Sequence, residues 1–275
     1  MPTDGPGAGP TRGFFDAWSR VYDFPLVQLA TYRPVHDAVL RTLAAEPCAR
    51  VLDIGCGTGR LAARLIDTPG VRSVVGCDFS AGMLAHAAER LHAASAGSTR
   101  VALVRGDAMR LPFADGSFDA AVSTEAFHWF PDQGAALREL GRVLRPNGRL
   151  LLALVSPPFE IVADVVEIGM RLVGQPLWWT TPSRLRAQVE SAGFRVERQR
   201  RILRIPGFLL PPMLTVARRP GWARCASMPA KASGTSGSST RSRAHSRSIG
   251  WRTGSGWSSR HMVGTTVSTP SRSRR

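Results

Sequence analysis

The stretch VLDIGCGTGRLAARL, residues 51–65, closes an apolar run with an acid, Asp53. It then places Gly55, Gly57 and Gly59 at every second position before a helix-like segment. Glycines so spaced permit a tight turn and close backbone approach to a ligand, and the chemistry open to such a loop is to cradle a nucleotide-like molecule. The dinucleotide fingerprint G-x-G-x-x-G asks for a small third residue at position 60 and an open row of amides for a pyrophosphate. Arg60 stands there and weakens that reading. No Gly-Lys-Ser/Thr follows, which excludes a P-loop more firmly. Asp78 ends the next apolar run 19 residues beyond Gly59, where a carboxylate can accept hydrogen bonds from both hydroxyls of a ribose. The alternative is that Asp78 caps a helix beginning near Ser80. What remains is an adenosine-containing ligand without a required pyrophosphate.

The elements that must position these residues follow from periodicity. Runs rich in Val, Leu and Ile alternate with segments whose apolar residues recur at three and four, the pattern of a parallel sheet covered by helices. Strands are expected at Arg50 to Ile54, Ser73 to Cys77, Val101 to Arg105, Phe118 to Val122 and Arg149 to Val155. Asp132 can cap a helix whose Ala136, Leu140, Val143 and Leu144 share one face and which Pro146-Asn147-Gly148 ends. Further helices are expected in EIVADVVEIGMRLVG and in SRLRAQVESAGF, the latter stopped by Gly193. Two last strand-like runs, FRVERQRRI and PMLTVAR, have no room for a helix between them and should pair antiparallel. The fold class is α/β: a doubly wound, seven-stranded, mostly parallel sheet. In such sheets ligands sit beyond the carboxyl ends of the strands.

The formal charge of +16 suggests a nucleic-acid partner at first sight, but no Asp or Glu occurs from Arg198 onward, and residues 218–275 hold 11 Arg and Lys231. Taking those 12 charges from +16 leaves +4, so the basic argument applies to the tail alone. Residues 219–275 are dominated by Ser, Gly, Thr and Arg without periodicity, too polar to bury a core, and are expected to be disordered. Their bias also matches an out-of-frame translation of GC-rich coding sequence. Cys48, Cys56, Cys77 and Cys225 show no C-x-x-C pairing or neighbouring His cluster, which argues against a metal site or a disulfide framework and for a reducing, cytoplasmic setting. The start lacks the pattern of a signal peptide. The stretch ILRIPGFLLPPMLTVA is too short and interrupted to span a bilayer. The organisation expected is a flexible N-terminus over 1–13, one domain over 14–218 and the tail.

Four stretches, VLDIGCGTGRLAARL, VVGCDFSAGMLAHAAER, VRGDAMRLPFADGSFDAAVSTEAFHWF and ALRELGRVLRPNGRLLLAL, resemble the successive motifs of class I S-adenosylmethionine-dependent methyltransferases. The similarity is to the small-molecule branch that contains quinone-biosynthesis and trans-aconitate-type enzymes, over about residues 14 to 218. The resemblance implies that Gly55, Gly57 and Gly59 wrap the amino-acid end of S-adenosylmethionine, with Asp53 ordering the loop or meeting the ammonium through water. It implies that Asp78 holds the ribose, that Met83 covers one adenine face, and that Asp107 and Ala108 bind the adenine edge. FFDAWSRVYDFPLVQLATYRP is similar to the branch's N-terminal lid, which would lay Tyr22 against the methionine portion. His128 in STEAFHWFPD is the candidate catalytic residue, as a proton acceptor or a hold on an acidic group; packed beside Trp129 and Phe130, it can equally be structural. The SPPF of residues 156–159 resembles the loop of amino-group methyltransferases, but there it follows strand four and here strand five. Trp178, Trp179 and the EIVADVVEIGMRLV segment suggest an apolar cover and a hydrophobic small-molecule acceptor. The competing functions are a nucleic-acid methyltransferase using the tail, a NAD-dependent oxidoreductase, and a non-catalytic binding protein.

Overall fold

The computed structural model describes residues 32–94, 99–157, 159–172, 177–202 and 212–221. The start expected to be flexible, Tyr22 with the lid segment up to residue 31, and the tail beyond Gly221 lie outside the described residues. In chain order the helices are α1 (Arg33–Ala45), α2 (Arg60–Leu65), α3 (Ala81–Ala94), α4 (Gln133–Val143), α5 (Glu160–Leu172) and α6 (Pro182–Ser191). The strands are β1 (Arg50–Ile54), β2 (Ser73–Asp78), β3 (Arg100–Arg105), β4 (Phe118–Thr124), β5 (Leu144–Val155), β6 (Arg195–Arg201) and β7 (Pro212–Arg218). They form one seven-stranded sheet in the order β3-β2-β1-β4-β5-β7-β6. The first five are parallel, and β7 runs antiparallel between β5 and β6. This is the doubly wound, mostly parallel architecture expected. The order reverses between β1 and β4, which is where such sheets open a crevice for ligand.

Period-two alternation divides the core. Leu150, Leu152 and Leu154 of β5 face one apolar layer with Leu137 and Leu140 of α4 and Leu185 and Val189 of α6. Leu151 and Ala153 face the other, with Val35 and Val39 of α1 and Leu61 and Leu65 of α2. Both faces of the central strands are therefore covered, which is why their sequences read as continuous apolar runs.

The helix signals act locally. Asp132 caps α4 by accepting from the Ala135 amide at 2.8 Å, and Gly193, at φ +87°, lets the chain leave α6 for β6. One boundary differs from expectation. The helix α4 ends at Val143, and Pro146-Asn147-Gly148 already belongs to β5. Asn147 takes φ +64° and its amide donates to the Arg219 carbonyl at 2.9 Å; pairing with the chain beyond β7 thus keeps a turn-like tripeptide within the strand.

Candidate functional site

The carboxyl ends of β1, β2 and β4 meet at the glycine loop. The Gly55 and Cys56 amides both donate to the Cys77 carbonyl, at 2.8 and 3.2 Å, and so fold the loop back over β2. Gly57 donates its amide to Asp78 Oδ2 at 2.8 Å, while Asp78 Oδ1 accepts from the Ser80 amide at 2.9 Å. Asp78 thereby clamps the loop and fixes the entry to α3. The helix cap is Ser80, whose hydroxyl accepts from the Met83 amide at 3.2 Å. A ribose would meet a carboxylate already aimed by two backbone donors.

The three glycines do different work. All have positive φ, yet a Cβ on Gly55 would collide with Ala126, and one on Gly59 would come 3.0 Å from the Cβ of Ala87 in α3. Around Gly57 there is nothing within 4 Å. Gly57 therefore borders the open cradle, whereas Gly55 and Gly59 let the loop press against the β4 turn and α3.

Beneath the loop lies a concentration of acid. Asp53 is 1% exposed, and neither carboxylate oxygen has a hydrogen-bond partner among the described residues. Burial, and then the charge of Asp78, push its carboxyl up to about 7; the Ala62 amide pulls the other way without hydrogen-bond geometry to either oxygen. The Cys77 thiol is pushed up to about 12 by burial, then by Asp78, Asp107 and Asp53, so these three acids ring one buried sulfur. Asp107 is exposed and accepts the Met109 amide at 2.8 Å, as a carboxylate capping its own turn does. Ala108 is buried in the layer that contains Ile54, Cys77 and Phe127. Met83 is 4% exposed. A buried orphan carboxylate favours a cation, and an acid pair under a loop opposes a diphosphate. The donor set thus fits a ligand that brings a nucleoside and positive charge.

His128 lies in a 3-10 turn, Phe127–Trp129, just past β4. It is buried, its Nδ1 has no partner among the described residues, and burial lowers its pKa to about 3. The imidazole is accordingly neutral across the physiological range, suited to holding a hydrogen bond more than to taking a proton. Residues 177–181 are fastened over this turn. The Trp178 amide donates to the His128 carbonyl at 2.8 Å, Gln133 Nε2 donates to the Trp178 carbonyl at 2.8 Å, and the Ser156 hydroxyl donates to the Thr180 carbonyl at 2.7 Å.

Sequence reasoning missed two residues here. His36 of α1 lines a small cavity of about 20 Å³ with Gly55, Thr58, Arg60 and Thr124, room for about one water. Burial, then Arg64 and Arg60, lower its pKa to about 4. Glu125 takes φ +52°, and one of its carboxylate oxygens is buried without a partner. Its only sequence signal is an acid directly after an apolar strand. The α5 segment, expected as a cover, is exposed along one face among the described residues: Ile161, Val165, Ile168 and Leu172 are 59 to 83% accessible.

With this geometry in view, residues 52–152 match the family model described as "Methyltransferase domain". The chain is 43% identical over 148 residues to a demethylmenaquinone methyltransferase of Beutenbergia cavernae, covering 53% of this chain and 58% of that protein. It is 36% identical over 172 residues to one from Clavibacter sepedonicus, covering 62% of this chain and 68% of that protein. The chain belongs to the class I S-adenosylmethionine-dependent methyltransferase family. It spans a little under three fifths of the length of the first of these relatives. The fold matches the magnesium protoporphyrin IX methyltransferase structure from Synechocystis PCC 6803 with bound SAH, at TM-score 0.59 and 21% identity, covering 75% of this chain and 94% of that one. Among the described residues no group of three or more His, Cys, Asp or Glu is placed to hold a metal ion, and no helix is long and apolar enough to cross a membrane.

Proposed function

We propose that this methyltransferase-family chain binds S-adenosylmethionine over the glycine loop and transfers its methyl group to a small-molecule acceptor. The observation that carries the reading is the orphaned Asp53 carboxylate under a loop clamped by Asp78. When bound, the cofactor supplies an electrophilic methyl on a sulfonium. Gly57 borders its amino-acid end, Asp53 balances its positive charge, Asp78 accepts from the ribose, and Asp107, Ala108 and Met83 form the adenine edge and face. Gly55 and Gly59 act by packing the loop. Tyr22 remains a proposed lid contact from outside the described residues. Little acid–base chemistry is required for an activated nucleophile, so alignment dominates; effective molarities of roughly 10⁵ to 10⁸ M indicate what alignment can supply.

His128 is proposed to face the acceptor as a neutral hydrogen-bonding imidazole. The exposed row on α5, next to the carboxyl end of β5, supports a hydrophobic acceptor or cover. The buried free thiols of Cys48, Cys56 and Cys77 support a reducing, cytoplasmic setting. Calorimetric titration with S-adenosylmethionine and, separately, with NAD tests the cofactor: micromolar binding of the first and none of the second is expected, and the reverse would refute the reading. A metabolite-extract methylation screen then tests transfer.

A further inference from the structure

Glu125 follows β4 in a left-handed conformation that costs a non-glycine residue about 1–2 kcal/mol; strain of this kind persists where surroundings fix it and gathers at functional sites. The surroundings here are bonds at both ends of the residue. Its amide donates to the Ala153 carbonyl at 2.8 Å, and its Oε2 accepts from the Val155 amide at 3.0 Å. One oxygen is thus anchored to the end of β5, which fixes the carboxylate's orientation, while Oε1 is buried without a partner among the described residues. The residues on either side both reach the glycine loop: Thr124 shares the small cavity with Gly55, and Ala126 is what a Cβ on Gly55 would strike.

Three further orphans belong to the same turn and the strap tied across it, namely His128 Nδ1, Trp179 Nε1 and Thr180 Oγ1. An unmade buried hydrogen bond costs about 1–3 kcal/mol. Four of them on segments whose backbones are otherwise well bonded call for a ligand that supplies the missing partners. We propose that Glu125 is the proton acceptor of the methyl-transfer step, and that the methyl acceptor carries a phenolic or enolic hydroxyl bonded to Oε1; this rests on the methyltransferase reading above.

The step balances. The hydroxyl O–H bond breaks and its proton passes to the Glu125 carboxylate, while the electron pair released, on oxygen or on a conjugated carbon, forms the new bond to the methyl carbon as the carbon–sulfur bond breaks onto sulfur. The carboxylate's negative charge and the sulfonium's positive charge vanish together, which a site shielded from water favours. Burial, offset only by the Val155 amide, holds the Glu125 carboxyl at about 7, within the range suited to a base near neutral pH. Nothing charged acts on the Glu125 carboxyl: burial and the Val155 amide of β5 account for its shift, and His128, the titratable group on its own turn, is neutral.

Glu125→Gln keeps the side-chain length and an oxygen for the Val155 amide, so the fold should survive; circular dichroism checks this. In the full chain, calorimetry should find S-adenosylmethionine affinity within about threefold of wild type, since a tenfold change would mean about 1.4 kcal/mol of lost contact. Transfer to 2-naphthol and to 1,4-naphthohydroquinone should fall at least about 100-fold, and the rise of the wild-type rate through pH 7 should vanish. Glu125→Asp, too short to hold both contacts, should lose rate likewise while retaining a pH-dependent limb. Unchanged transfer or an unchanged pH profile in Glu125→Gln overturns the proposal. So does a wild-type protein that binds the cofactor yet neither binds nor methylates either hydroxylated ring. A wild-type protein that binds no S-adenosylmethionine instead overturns the underlying reading.

Discussion

Gly55 and Gly57 are two residues apart and share a positive φ, yet replacing each with alanine should damage different properties. Alanine in the left-handed region costs about 1–2 kcal/mol at either position. At Gly55 the new methyl also meets Ala126, and overpacking of this kind adds about 1–3 kcal/mol. With roughly 2–4 °C of melting temperature per kcal/mol for a domain of this size, Gly55→Ala should melt about 2–12 °C below Gly57→Ala. Around Gly57 a Cβ finds open space, so the folded protein tolerates it. A ligand in the cradle would not, and S-adenosylmethionine should bind at least about tenfold more weakly, a loss of about 1.4 kcal/mol. Thermal unfolding and calorimetric titration of both variants check the two effects. Equal melting temperatures, or wild-type affinity in Gly57→Ala, would refute the division of labour among the glycines.

Three other expectations follow from groups in and around the site. Asp53, raised to about 7 from 3.8, binds its proton more tightly folded than unfolded, so its contribution to stability falls as pH climbs from about 4 to 7. His36 and His128, lowered from 6.5 to about 4 and about 3, act oppositely, since the unfolded chain takes up those protons first. Asp53→Asn removes one falling slope of about 1.4 kcal/mol per pH unit; urea midpoints at pH 4.5 and 6.5 should show variant stability rising against wild type by on the order of 2–3 kcal/mol, and parallel curves would contradict the buried-acid argument. Asp78→Asn sets an amide group where Gly57 and Ser80 both donate, and should lower stability by about 1–3 kcal/mol and weaken cofactor binding at least tenfold; unaltered titration would remove Asp78 from the site. His128→Ala should leave cofactor affinity in place and reduce transfer; full turnover would assign the imidazole to packing alone.

The strands, their mostly parallel sheet and the place of the glycine loop at the end of β1 were legible because they depend on local signals. Alternation in β5 assigns each leucine to its layer, Asp132 caps where its spacing requires, and Asp53, the glycines and Asp78 occupy ends of successive strands. The turn after β4 and the strap tied over it were not, because they depend on backbone conformation and on contacts distant in sequence. Nothing in STEAFHWF marks Glu125 as left-handed, and the strap over His128 joins residues 50 positions apart. The extent of β5 was misread for the same reason: the partner that holds Asn147 in the strand lies beyond β7.

The two ends of the sheet differ in a way that bears on function. At the amino ends of the parallel strands the charges are paired. Arg142 meets Glu139 and Asp115, Arg145 meets Asp119, and Arg218 bridges Glu46 and Glu197. Asp119 in addition accepts the Ala49 and Arg50 amides at the start of β1. At the carboxyl ends Asp53, Ser123, Glu125 and His128 have buried polar atoms without a partner among the described residues, and so does Gln188, which is bonded to Gln133 through its amide nitrogen. Random imperfection would distribute such costs over both ends. Their segregation to the end where the glycine loop opens is the distribution that the proposed site requires: it sets the Asp53 carboxylate beside β1 for the positive charge of the proposed cofactor, and the Glu125 carboxylate, anchored to β5, for the proton of the proposed acceptor.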